Sequence, residues 1–208
     1  TTKTTAGKDA LAKGALTHPE RVLDAQSGLT KRGLAEYLAL VADRMMPHVM
    51  DRPISFVRCP AGTGKACFYQ KHSESALPPG IGSVRIREKE GEDDYLTIES
   101  VEGLVGLAQM GVLEIHPWGA RIDDIEKPDR LIFDFDPDPA LPFAQVVEAA
   151  LAMRGVLSAL ELESFVKTTG GKGLHVVAPI KRRHPWPVVK AFARAVATAL
   201  SGAQDGRY

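Results

Sequence analysis

The stretch SFVKTTGGKGLHVVAPI, residues 164–180, sets a glycine-rich loop between two runs of β-branched and apolar residues. Ser164 to Thr168 and Leu174 to Ala178 read as a pair of strands, with turn residues between them. Glycines let backbone amides approach an anion closely, and lysines add positive charge. Thr169, Gly170, Gly171, Lys172 and Gly173 are therefore a candidate cradle for a triphosphate, although a plain tight turn has the same composition. The loop fits neither a P-loop nor a dinucleotide fingerprint, because a strand follows the glycines and their spacing differs. Gly62-Thr63-Gly64-Lys65 also fails as a P-loop, lacking the earlier glycine and the hydroxyl residue after the lysine.

Upstream, Leu131-Ile132-Phe133-Asp134-Phe135-Asp136 alternates. Leu131, Phe133 and Phe135 can face a core while Asp134 and Asp136 project to the opposite side. Two like charges held side by side repel, a cost that a cation between them removes. Hard divalent ions such as Mg2+ or Mn2+ suit all-oxygen ligands. Pro137 ends the strand just beyond, so a ligand can reach both acids. Such a pair supports two-metal phosphoryl chemistry. A solvated acidic strand end gives the same short pattern.

Outward from these segments, hairpins alternate with helices. Apolar spacing predicts a helix over Thr30 to Val49, capped by Thr30. Further helices are predicted from Ser100 to about Met110, over Phe143 to Leu157 and over Pro187 to Leu200. Strands are expected at Ile54 to Arg58, Ala66 to Gln70, Ser83 to Arg87, Tyr95 to Ile98, Leu113 to His116 and Arg130 to Asp136. This mixture implies an α+β fold rather than a doubly wound sheet. Residues 1–17 read as a mobile arm and 18–208 as one domain with no linker. Phe68 and Tyr69 are adjacent on a strand, so one is expected to pack inward and the other to offer a stacking face. Cys59 and Cys67 lie in a stretch that reads as strand, turn, strand; a disulfide is possible there, but buried free thiols are the preferred reading.

Over 208 residues, 26 basic side chains balance 26 acidic ones. Basic residues gather near Lys3 to Arg32 and Lys181 to Arg194, acidic ones at Glu88 to Asp94 and Asp123 to Asp138. Separated signs can hold a phosphate backbone on one face and cations on another. No apolar run reaches the roughly 18 residues that span a membrane, so no membrane partner and a cytoplasmic, nucleoid-associated location are expected.

Together these residues resemble the polymerase domain of bacterial DNA ligase D, in the archaeo-eukaryotic primase superfamily. The resemblance runs from about Thr17 onward, through THPERVL (17–23), GLTKRGLAEY (28–37), RPISFVRCP (52–60), CFYQKH (67–72), EIHPWG (114–119), PDRLIFDFDPD (128–138) and SFVKTTGGKGLHVVAPI (164–180). It implies a primase-polymerase fold of mixed and antiparallel sheets flanked by helices. Asp134 and Asp136 become metal-binding catalytic acids, and Asp138 does not. Thr169 stands where the family usually has serine, a hydroxyl for the incoming triphosphate. His116 and His175 match active-site and nucleotide histidines, and Arg58 and Lys71 match basic residues near DNA and nucleotide. Phe68 and Tyr69 match a template-stacking pair, while Arg21 and Lys31 match a basic pair that grips the 5′-phosphate of a DNA end; arginine in place of lysine keeps the charge and can fork onto a phosphate.

The activity so implied is transfer of NTPs or dNTPs to a 3′-hydroxyl at double-strand breaks, with Mn2+ or Mg2+ as cofactor. The end-binding protein Ku and a covalently linked ligase domain are implied partners. Family members continue past the final helix into a strand with a third metal-binding aspartate, beyond Tyr208. Residues 1–208 alone are thus expected to polymerise little, and a DNA-end binding module without chemistry is the alternative.

Overall fold

The structure, a computed structural model, describes residues 16–72, 77–88 and 91–202. The chain divides after Trp118 into two compact units. Nothing in the composition around Trp118 and Gly119 marks this boundary, which is why the sequence reads as one uninterrupted domain.

The N-terminal unit opens with a short hairpin, β1 (Val22–Asp24) and β2 (Leu29–Thr30), which the apolar pattern is too brief to reveal. Helix α1 (Lys31–Val49) follows. Thr30 caps it as expected, its hydroxyl oxygen accepting from the Gly33 amide at 3.1 Å. Strands β3 (Ile54–Arg58), β4 (Phe68–Gln70), β5 (Ile81–Arg87), β6 (Glu92–Ile98) and β7 (Val112–Pro117) form an antiparallel sheet ordered β4-β3-β6-β5, with β7 also on β3. Leu34, Leu38, Ala42 and Met46 of α1 pack on Ile54, Phe56, Leu96 and Ile98 of this sheet. Helix α2 (Val101–Gly106) is capped by Ser100 and stops earlier than its spacing predicts. Beyond it, Ala108, Gln109 and Met110 bond back only three residues, and Gly111 turns away at φ +68°.

The two cysteines correct the expectation of buried free thiols. They are bonded as a disulfide, with Cα atoms 4.4 Å apart. Cys59 is buried but Cys67 is exposed. Register explains the pairing: Arg58 lies opposite Phe68 in the antiparallel β3–β4 pair, so the next residues outward, Cys59 and Cys67, face one another.

The C-terminal unit is a three-stranded antiparallel sheet, β8 (Arg130–Phe135), β10 (Leu174–Pro179) and β9 (Phe165–Thr168), ordered β8-β10-β9. Helices α3 (Phe143–Ala159) and α4 (Trp186–Gly202) cover one face. Leu131, Phe133, Leu174, Val176 and Ala178 bury there against Val146, Met153, Leu157, Val196 and Leu200. Every second residue of β8 and β10 is therefore inside, and the intervening ones line the other face.

Of the predicted arm, residues 1–15 lie outside the described residues. Leu16 packs on the core, and Thr17 exchanges hydrogen bonds with Gln109, amide to Oε1 at 3.0 Å and Nε2 to hydroxyl at 2.7 Å. Among the described residues no helix is long and apolar enough to cross a membrane.

Candidate active site

In the C-terminal unit, strand alternation carries Asp134 out on the face opposite the core, and Asp136 follows just past the end of β8, one residue beyond the strand pairing; both are exposed. Asp134 stands opposite His175 of β10, which in turn stands opposite Lys167 of β9. The three side chains form a row across the sheet. His175 Nε2 lies 3.3 Å from Asp134 Oδ1. Desolvation by the neighbouring strands, with the Arg130 charge, pushes the exposed Lys167 ammonium below its ordinary range against the pull of Asp134. Sequence reasoning gives Lys167 no role beyond its place in the first strand of the pair; its place in the row needs the strand register.

The glycine loop is fastened beside the same acids. The Thr169 hydroxyl donates to the Gly173 carbonyl at 3.1 Å, and Gly170 takes φ +89°. A Cβ on Gly173 would come within 2.8 Å of the Phe135 carbonyl oxygen, so only glycine lets the loop close onto the end of β8. Lys172 donates to the Pro139 carbonyl at 3.0 Å, just beyond Asp136. Asp138 accepts from the Ala140 amide at 2.8 Å in its own turn. A groove of about 610 Å³ runs along the edge of β8, lined by Ile132, Asp134, Asp136, Met153, Arg194 and Ala197 among others. Arg194, from α4, supplies a cation that the sequence shows only as one of a basic cluster.

The N-terminal unit holds the remaining candidates. Arg58 donates through Nε to the Met110 carbonyl at 3.0 Å and through Nη1 to Gln70 Oε1 at 2.7 Å, and its guanidinium lies over the Phe68 ring at 5.3 Å. Tyr69 stands beside His116, ring centroids 5.8 Å apart, and His116 Nε2 is 2.9 Å from Glu114 Oε2. Lys71 donates to Glu88 at 3.1 Å and to the Tyr95 hydroxyl at 3.2 Å, which raises its pKa.

The expectation that one of the aromatic pair packs inward is wrong. Phe68 is 45% exposed and Tyr69 60%. Strand β4 has three residues at the sheet edge, and Gln70 is the one it buries, so Phe68 sits beneath Arg58 rather than in the core.

Arg21 and Lys31 are neighbours, the Lys31 amide donating to the Arg21 carbonyl at 2.9 Å. Arg21 is exposed and donates to the Pro60 carbonyl at 3.2 Å. Lys31 is buried, its ammonium held by the Thr17 carbonyl at 2.9 Å. Burial, with the Arg21 charge, lowers its pKa.

A family model described as the LigD primase-polymerase domain matches residues 30–208. The chain is 40% identical, over 98% of its length, to the multifunctional non-homologous end joining protein LigD of Pseudomonas aeruginosa, and 33% identical over 90% to that of Mycolicibacterium smegmatis. It spans 24% and 25% of those proteins. The polymerase domain of Mycobacterium tuberculosis ligase D, solved in complex with DNA, superposes with a TM-score of 0.85 at 31% identity, covering 93% of this chain and 70% of that one. With its α+β fold and antiparallel sheets matching that domain, the chain belongs to the LigD primase-polymerase family, a nucleotidyltransferase-type enzyme module.

Proposed function

We propose that this chain adds ribo- or deoxyribonucleotides to a 3′-hydroxyl at a broken DNA end, using Mn2+ or Mg2+. The observation that carries the reading is the convergence in one unit of Asp134, Asp136, His175 and the Thr169–Gly173 loop. Two exposed carboxylates on one side of a strand end fit hard cations, and both would serve as ligands. Cations held there by Asp134 and Asp136 would supply the charge that activates an attacking hydroxyl and steadies a leaving pyrophosphate. His175, close to Asp134, orients that carboxylate. The glycine loop offers backbone amides and the Thr169 hydroxyl to a triphosphate, with Lys172 adding charge.

Nucleic acid is the second substrate in this reading, supported by the DNA-bound structural neighbour and by the names of the relatives. Phe68 and Tyr69 expose aromatic faces on which bases stack, and Arg21 beside Lys31 offers charge to a 5′-phosphate. A linked ligase domain is a proposed partner on the names of the relatives, and Ku on the resemblance to the ligase D family.

Calorimetry with Mn2+ and a nucleoside triphosphate, on the parent and on an Asp134→Ala, Asp136→Ala double variant, tests the site. Metal-dependent binding that the variant loses supports it. Retention of a 5′-phosphorylated duplex with no nucleotide binding in either protein would instead make the chain a DNA-end binding module.

A further inference from the structure

We propose that His72, Glu88 and Asp93 form a second divalent-metal site, in the N-terminal unit, for a borderline ion of the Zn2+ kind. One ligand atom from each residue, an imidazole nitrogen and two carboxylate oxygens, lies within 4.8 Å of the other two. The three come from separate segments held in register. Glu88 directly follows β5, Asp93 lies on β6 opposite Ile86, and His72 bridges to Tyr95 of β6. A frame of this kind brings ligands together before the ion arrives, so binding orders few side chains.

Local contacts fix the ligands further. His72 Nδ1 is 3.3 Å from Asp93 Oδ2, and its ring leans on Tyr95 with centroids 4.8 Å apart. Glu88 accepts from the Tyr95 hydroxyl and from Lys71. Two carboxylates against the single Lys71 ammonium leave the cluster negative. All three ligands reach solvent, so an ion has a path in. Imidazole with carboxylates suits zinc and its neighbours, whereas the all-oxygen pair Asp134 and Asp136 suits Mg2+ or Mn2+. An ion at His72 would tie the β5–β6 hairpin to the segment after β4, the strand that displays Phe68 and Tyr69.

The test is independent of the proposed nucleotidyl transfer, because it uses the full chain carrying Asp134→Ala and Asp136→Ala. Zn2+ alone is titrated into this protein by calorimetry, then into the same protein with His72→Ala or Asp93→Asn added. One binding event is expected in the first, weakened at least tenfold in each of the others, with circular dichroism unchanged. Asp93 is exposed, so its conservative variant keeps the measurement usable if His72→Ala fails to fold. Zn2+ binding equal in all three proteins, or none in the first, overturns the proposal.

Discussion

In the N-terminal unit, the polar groups assigned to DNA and nucleotide already have protein partners. Arg58 holds Met110 and Gln70, Lys71 holds Glu88 and Tyr95, and Lys31 is buried on the Thr17 carbonyl. At the end of β8 the arrangement is different: Asp134 and Asp136 stand exposed, and Asp134 meets His175 at 3.3 Å. Groups woven into a network carry stability together with any binding role. Acids displayed at a strand end carry little stability, since like charges repel when no cation is present. Substitutions in the two units should therefore separate by what they damage.

The largest effect is expected from Asp134→Ala with Asp136→Ala. Metal-dependent triphosphate affinity should fall at least 100-fold, about 2.7 kcal/mol, while the urea midpoint holds or rises. A clear loss of stability in this variant would erase the contrast. Lys31→Ala is its counterpart, expected to cost about 1–3 kcal/mol in urea unfolding because a carbonyl and the Gln109 side chain lose a buried donor. Unchanged stability there would mean that Lys31 is displayed for ligand rather than built into the fold.

The displayed site was more legible in the sequence than the woven one, for a physical reason. Asp134 and Asp136 share one strand, and Thr169 to Gly173 share one turn, so alternation and turn chemistry are enough to find them. Their companions Lys167 and Arg194 depend on strand pairing and helix placement, which local periodicity does not carry. In the N-terminal unit, the burial of Lys31 depends on Gln109, 78 residues away, and the Cys59–Cys67 bond depends on the β3–β4 register. Alternation puts one of Phe68 and Tyr69 in the core because it does not reveal that β4 lies at an edge. Helix α1 was readable throughout, since Thr30 and its apolar stripe are all local.

Helix starts offer a smaller test of the same contrast. Thr30 and Ser100 cap α1 and α2 with side-chain oxygens, whereas α3 begins at Pro142 with no side-chain cap. Thr30→Ala should cost about 1 kcal/mol, read from chemical unfolding, with α1 otherwise intact. A change near zero would show that the packing of α1, not its cap, holds its start in place.

Asp24 gives the finest distinction, because it is half-buried, between exposed Asp134 and buried Lys31, and is woven like Lys31. Its carboxyl accepts from the Ser27 hydroxyl, from Thr63 at 2.7 Å and from the Ser27 amide at 2.8 Å, and these bonds hold its pKa down to about 2 from an ordinary 3.8. A carboxyl whose folded pKa is depressed stabilises the fold above the unfolded value and loses that contribution as protons bind. The contribution should thus be complete above pH 3.8 and disappear as pH falls through about 2. Asp24→Asn should flatten stability across that window and leave it parallel to the parent at higher pH. The direct reading is a carboxyl titration of Asp24 by NMR. A midpoint near 3.8 would show that solvent, and not its partners, governs this half-buried acid, and the separation between woven and displayed groups would then reduce to burial alone.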